Sequence, residues 1–106
     1  MDLGNFEKAQ QNYAKAIEIT PNNPNFYNNL AIAMFNQGNH LQSMGLVLRA
    51  IQLNPINPLY YSNYGYFLSK SGNQHVAEVI LLKALELDPE HLSALRNLGK
   101  VYKELG

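Results

Sequence analysis

The sequence predicts an all-α protein, an α-solenoid of antiparallel helical hairpins, and three observations carry that expectation. Pro21, Pro55 and Pro89 recur at a step of 34 residues, and the same step links Gly4, Gly38, Gly72 and Gly106 as well as Asn5, Asn39 and Asn73. Apolar residues fall at i, i+3, i+4 and i+7, one stripe of an α-helix, in Tyr27-Leu30-Ala31-Met34, Tyr61-Tyr64-Gly65-Leu68 and Leu95-Leu98-Gly99-Tyr102. No stretch alternates with the period of a strand. Alternating helices at a fixed period of this length bury their apolar faces only against neighbouring hairpins.

The elements follow in order. Helices are expected over 5–19, 24–36, 39–53, 58–70, 73–87 and 92–105. Asn23-Pro24 and Asn57-Pro58 read as a capping asparagine followed by proline in the first turn, which starts the helices at 24 and 58. Each Gly-Asn pair reads as a left-handed glycine that ends one helix and an asparagine that caps the next. Ala9, Tyr13 and Ala16 match Ala77, Leu81 and Ala84 two repeats on, and the middle copy has Ser43, Val47 and Ala50. Small residues there let helices approach closely. Gly45, inside 39–53, costs about 1 kcal/mol relative to alanine and marks a bend or weak point.

The chain forms one array, made of a lone second helix over 1–21, complete repeats at 24–57 and 58–91, and a lone first helix over 92–106. That phase is expected of a piece of a longer array. Tyr13 and Ile17 at one end, and Leu98, Tyr102 and Leu105 at the other, are then open apolar faces. They are complementary, so head-to-tail self-association or domain exchange is a possible assembly.

Composition narrows the function. The chain has 106 residues, 46% of them hydrophobic, which suits a packed core. Eight basic and eight acidic side chains cancel, so no overall field draws it to nucleic acid or an anionic membrane. Without cysteine there is no disulfide, thiolate metal site or cysteine nucleophile. Apolar runs such as Val79-Ile80-Leu81-Leu82 are far shorter than the roughly 20 residues of a membrane span, and residues 1–20 lack a signal-peptide core. A soluble, cytoplasmic chain without membrane insertion is the expectation.

Catalysis has no constellation to rest on. His40, His75 and His91 are separated, without an i, i+4 partner. The carboxylates are scattered, and the Gly-Asn pairs join helices instead of leading a strand into a phosphate loop. The expectation is a non-enzyme without metal or cofactor.

A 34-residue hairpin with a small residue in its first helix, glycine before its second, alanine within that second helix and proline after it resembles the tetratricopeptide repeat. The resemblance spans the chain, most closely in GNFEKAQQNYAKAIEITP and NLGKVYKELG, and departs at Met34, Ser43, Met44-Gly45 and Val47. It implies a right-handed superhelical stack whose first helices line a concave groove. The pentatricopeptide repeat, which reads RNA, is disfavoured by neutral charge, strict spacing and the recurring proline.

By that resemblance the groove takes Asn25, Asn28, Asn29, Ile32, Phe35 and Asn36, then Tyr66 and Lys70, then Arg96, Asn97 and Lys100. Asn29, Asn63 and Asn97 repeat without exception eight residues after each repeat proline. A primary amide offers both a donor and an acceptor, as a peptide backbone requires. A similar asparagine ladder lines the groove of O-linked N-acetylglucosamine transferases, where it holds extended polypeptides. Two roles stay open for the ladder here: ligand contact, or a bond to a neighbouring helix. Phe35 and Tyr66 likewise either anchor a partner or pack between repeats. Another subgroup clamps the C-terminal carboxylate of chaperones, but Asn28, Asn29, Leu59 and Asn63 leave too few cations for it. Arg96, Lys100 and Lys103 share one face and either meet an acidic partner or oppose the helix dipole.

The implied function is a protein-interaction scaffold that binds an extended peptide segment of a partner in its concave groove. A substrate-recognition arm of a larger enzyme such as a glycosyltransferase, and a self-assembling repeat module, are the alternatives.

Overall fold

Asn23 and Asn57 each accept a hydrogen bond from a backbone N–H two residues on, at 3.0 Å from Asn25 and from Leu59, directly before helices led by Pro24 and Pro58. In the computed structural model, which describes residues 3–106, these begin α2 (Pro24–Asn36) and α4 (Pro58–Lys70). The other helices are α1 (Leu3–Ile19), α3 (His40–Leu53), α5 (Gln74–Leu87) and α6 (Leu92–Leu105), and there is no strand among the described residues. Observed and expected bounds agree within two residues.

The Gly-Asn pairs work differently from the expectation. Gly38 and Gly72 take the left-handed conformation at φ +92° and +91°, as the end of a helix requires. Asn39 and Asn73 stand at the N-cap positions of α3 and α5, yet their side chains make no capping bond. Their backbones close the preceding helix instead. Asn39 N–H donates to the Met34 carbonyl at 2.9 Å while Gly38 N–H donates to Phe35, and Asn73 and Gly72 do the same to Leu68 and Ser69. Each pair is a Schellman motif, in which crossed bonds satisfy the last free carbonyls.

The chain divides into two compact units, residues 1–55 and 56–106. In the first, α2 packs on both α1 and α3. Leu30, Ala31 and Met34 of α2 are buried, as are Ser43, Val47 and Ala50 of α3, the helix packed on it. Ser43 fits where alanine recurs because its hydroxyl donates back to the His40 carbonyl at 2.7 Å. Tyr27 closes the α1–α2 turn through a 2.7 Å bond from its hydroxyl to the Pro21 carbonyl. Helix α3 continues through Gly45, and nothing stands within 4 Å of where its Cβ would be.

In the second unit α5 packs on α4 and α6, and the two first helices α4 and α6 also touch. Ala77, Leu81 and Ala84 are fully buried. A Cβ on Gly65 would lie 2.5 Å from Leu81 Cγ, so absence of a side chain lets Leu81 fill the hairpin interior. Leu98, expected on an open face, is buried with Ala94 and Val101, whereas Leu95, Tyr102 and Leu105 of α6 are exposed. In the complete hairpins the stripe residues Leu30, Ala31, Met34, Gly65 and Leu68 are buried, but so are Asn28, Phe35, Tyr60, Ser62 and Phe67 outside the expected stripes.

Candidate functional site

Each unit has a cleft lined in part by groove-face residues of its first helices. In the first unit Asn29, Ile32, Ala33 and Asn36 of α2 face Phe6, Ala9 and Tyr13 of α1 across a space of about 190 Å³. Asn29 is half-buried and makes no side-chain hydrogen bond among the described residues, so its amide is available at the cleft. Ile32 and Asn36 are exposed beside it. The Gln37 amide donates to Gln10 Oε1 at 2.8 Å and fixes the end of α2 against α1.

Two residues expected in the groove are buried instead. Asn28 is buried at 3% exposure, and Phe35 is buried with its ring stacked on His40 at 4.3 Å between centroids. Helix α2 is packed on two sides, so its covered arc is wider than the four-residue stripe that periodicity defines. Ser62, one repeat after Asn28, is likewise fully buried. Asn25 lies exposed in the first turn, outside the cleft.

The second unit has a larger cleft of about 350 Å³, lined by Tyr66, Ser69 and Lys70 of α4, Gln74 of α5, and Asn97, Lys100, Lys103 and Glu104 of α6. Lys70 Nζ stands 5.7 Å from the centroid of the Tyr66 ring, within cation–π range. Ser69 and Gln74 satisfy each other: the Ser69 hydroxyl donates to Gln74 Oε1 and the Gln74 amide donates to the Ser69 carbonyl, both at 2.9 Å. Asn97, which lines the cleft, donates from Nδ2 to Ser62 Oγ at 3.4 Å, a bond between α6 and α4. Asn63 is half-buried and engaged, and lines neither cleft. Arg96 turns aside to Ser93 Oγ at 3.4 Å.

The asparagine ladder therefore consists of three residues in three environments. Periodicity did not place Phe6 and Gln74 at the clefts, because both belong to second helices. The signal for Gln74 was its position after Gly72-Asn73, where α5 starts beside the end of α4.

Two tyrosines outside both clefts titrate above the ordinary value. Tyr60, outside both, has its hydroxyl held above the ordinary value by burial, against a smaller opposing hydrogen bond with Asn57. Tyr102 is raised by its hydrogen bond to Glu78 and by burial and that carboxylate's charge. Among the described residues no three of His, Cys, Asp and Glu gather as a metal site, and no helix is long and apolar enough to cross a membrane.

Comparison with known proteins gives one family. A TPR repeat model matches residues 1–38 and a tetratricopeptide repeat model matches residues 59–91. The first TPR of Spaghetti (RPAP3), solved bound to the HSP90 peptide SRMEEVD, is 25% identical with a TM-score of 0.89, over 96% of this chain and 81% of that one. The first TPR domain of human RPAP3 gives 25% identity and a TM-score of 0.90 over 96% and 80%. An O-GlcNAc transferase from Thermobaculum terrenum is 26% identical with a TM-score of 0.87 over 93% of this chain, which spans only 19% of that enzyme. Comparison with curated proteins gives no match. With its 34-residue period, its helical hairpins and these likenesses, the chain belongs to the tetratricopeptide repeat family.

Proposed function

We propose that the chain is a protein-interaction module that holds an extended segment of a partner protein on the groove face of its first helices. The observation that carries this reading is the placement of Asn29 and Asn97. They lie two repeats apart in register, and each puts an amide at a cleft beside an apolar or aromatic surface, Ile32 and Tyr13 in one unit and Tyr66 in the other. An amide pairs with a backbone unit through one donor and one acceptor, whatever the side chains of the segment are. Each such bond contributes about 0.5–1.5 kcal/mol net, so affinity also needs the clefts to take side chains. The peptide held by the Spaghetti TPR supports this use of the fold.

The terminal-carboxylate clamp is not the mode we propose. Helix α2 has no lysine, arginine or histidine, and Lys70 is the single cation of α4. The experiment is a peptide array probed with the protein, in which bound sequences are resynthesised with backbone N-methyl groups at alternate residues. Backbone recognition predicts that methylation abolishes binding and that Asn29→Ala with Asn97→Ala weakens all bound sequences together. Binding that survives both changes sinks the reading.

A second reading follows from the likeness to the O-GlcNAc transferase: the chain is a stretch of the substrate-recognition arm of a larger enzyme. Sequencing the gene beyond both ends tests it. A catalytic domain in the same reading frame supports it, and its absence removes it.

A further inference from the structure

The second unit is electrically neutral in total but strongly divided. Lys70, Arg96, Lys100 and Lys103 stand on the first helices α4 and α6 against Glu104 alone, whereas Glu78 and Glu86 on α5, and Asp88 and Glu90 in the turn after it, meet only Lys83. Counting charges along the chain hides this division. The cleft concentrates it, with three lysines and one glutamate around about 350 Å³.

Among the described residues these lysines form no ion pair, and Glu104 is the one carboxylate that shares their cleft. The ion pairs among the described residues are Lys15 with Glu18 and Lys83 with Glu86, both within second helices. Lys70 meets the face of Tyr66, which leaves its positive charge uncompensated. Ser69 and Gln74 bond to each other and one Asn97 N–H donates to Ser62, so the neutral polar groups of the cleft are largely engaged. Beside the second N–H and the carbonyl oxygen of Asn97 and the single Glu104 carboxylate, the cleft offers a ligand three ammonium groups.

The matching positions of the first unit show that the charge is particular to this cleft. One and two repeats on, Ile32, Phe35 and Asn36 are replaced by Tyr66, Ser69 and Lys70, then by Lys100, Lys103 and Glu104. The same helix face is apolar and amide-bearing in one unit and cationic in the other.

We propose that the α4–α6 cleft selects partners whose extended segment carries acidic side chains, about two carboxylates, seated among Lys70, Lys100 and Lys103. This rests on the groove-binding reading above and names the class of partner. Lysine ammonium groups on flexible stems recognise charge without a fixed fork, so aspartate and glutamate serve alike and neither needs a fixed position. A terminal carboxylate is not required, because the segment answers three cations with its side chains. The attraction is exposed and therefore weakens as salt rises.

The test is fluorescence anisotropy with labelled, C-terminally amidated peptides that carry a Glu pair, or Gln at the same two places, in one extended background chosen from the array. Proteins are the native chain and Lys70→Gln/Lys100→Gln/Lys103→Gln, three exposed positions, each checked for helicity by circular dichroism. The expected result is an advantage of about tenfold for the Glu peptide at low salt, shrinking with added salt and absent in the triple variant. Equal binding of Glu and Gln peptides overturns the acidic preference and leaves groove binding intact. No binding of any peptide by the native chain overturns both readings. A single-stranded DNA oligonucleotide that competes as well as the Glu peptide, with the same loss in the triple variant, overturns the assignment to a peptide.

Discussion

The Asn97 side chain reaches from α6 to α4 and donates to the hydroxyl of Ser62, a buried residue 35 positions earlier, at 3.4 Å. One rung of the asparagine ladder is thus also a tie between two first helices. Asn29, in the same register, makes no such bond among the described residues. Asn97→Ala is therefore expected to destabilise the fold by about 0.5–1.5 kcal/mol, and Asn29→Ala to stay within about 0.5 kcal/mol of the native chain. Urea unfolding followed by circular dichroism measures both. An equal cost at the two positions would show that the Ser62 bond contributes nothing.

Two helix glycines should respond in opposite directions. At Gly65 the new methyl collides with Leu81 Cγ and Cδ2, at 2.5 and 2.6 Å, and Leu81 is itself fully buried. Overpacking of that kind costs about 1–3 kcal/mol, only partly offset by the better helix propensity of alanine. At Gly45 nothing is within 4 Å, so Gly45→Ala should stabilise by up to about 1 kcal/mol. Thermal melts of the two variants need only move apart for this to hold.

The capping asparagines differ in the same testable way. Asn57 accepts from Leu59 N–H at 3.0 Å, and its replacement by alanine should cost about 1 kcal/mol. Asn73 contributes its backbone N–H to the Leu68 carbonyl, a group that alanine retains, so Asn73→Ala should cost less than about 0.5 kcal/mol. Chemical denaturation of the pair would contradict this if Asn73→Ala were the more damaging.

Alkaline stability should depend on Tyr60. Its hydroxyl titrates above the usual tyrosine value because the buried ring disfavours the phenolate. A raised value in the folded state means that its contribution is fully present below about pH 10 and is lost as pH rises further, through the folded value. Tyr60→Phe should flatten the alkaline limb of a plot of melting temperature against pH. Tyr102, hydrogen-bonded to Glu78, adds to the same limb. An unchanged slope in the double phenylalanine variant would remove both tyrosines from the account.

The sequence by itself determined the helices, their ends and the family. Helix periodicity, a capping asparagine before proline and a left-handed glycine act over a few residues, so α2, α4 and α6 are legible within a single repeat. Buried faces were legible where a hairpin is complete, as in Ala77, Leu81 and Ala84. Tertiary structure alone decided which residues outside the stripe are covered. It buried Asn28 and Phe35, brought Gln74 to the lysine cleft, and gave Asn39 and Asn73 the task of closing one helix with their backbones. It also separated charges that cancel in the composition, because whether two lysines share a space depends on the approach of α6 to α4. That approach is set by contacts between residues far apart in the chain, and no local period records it.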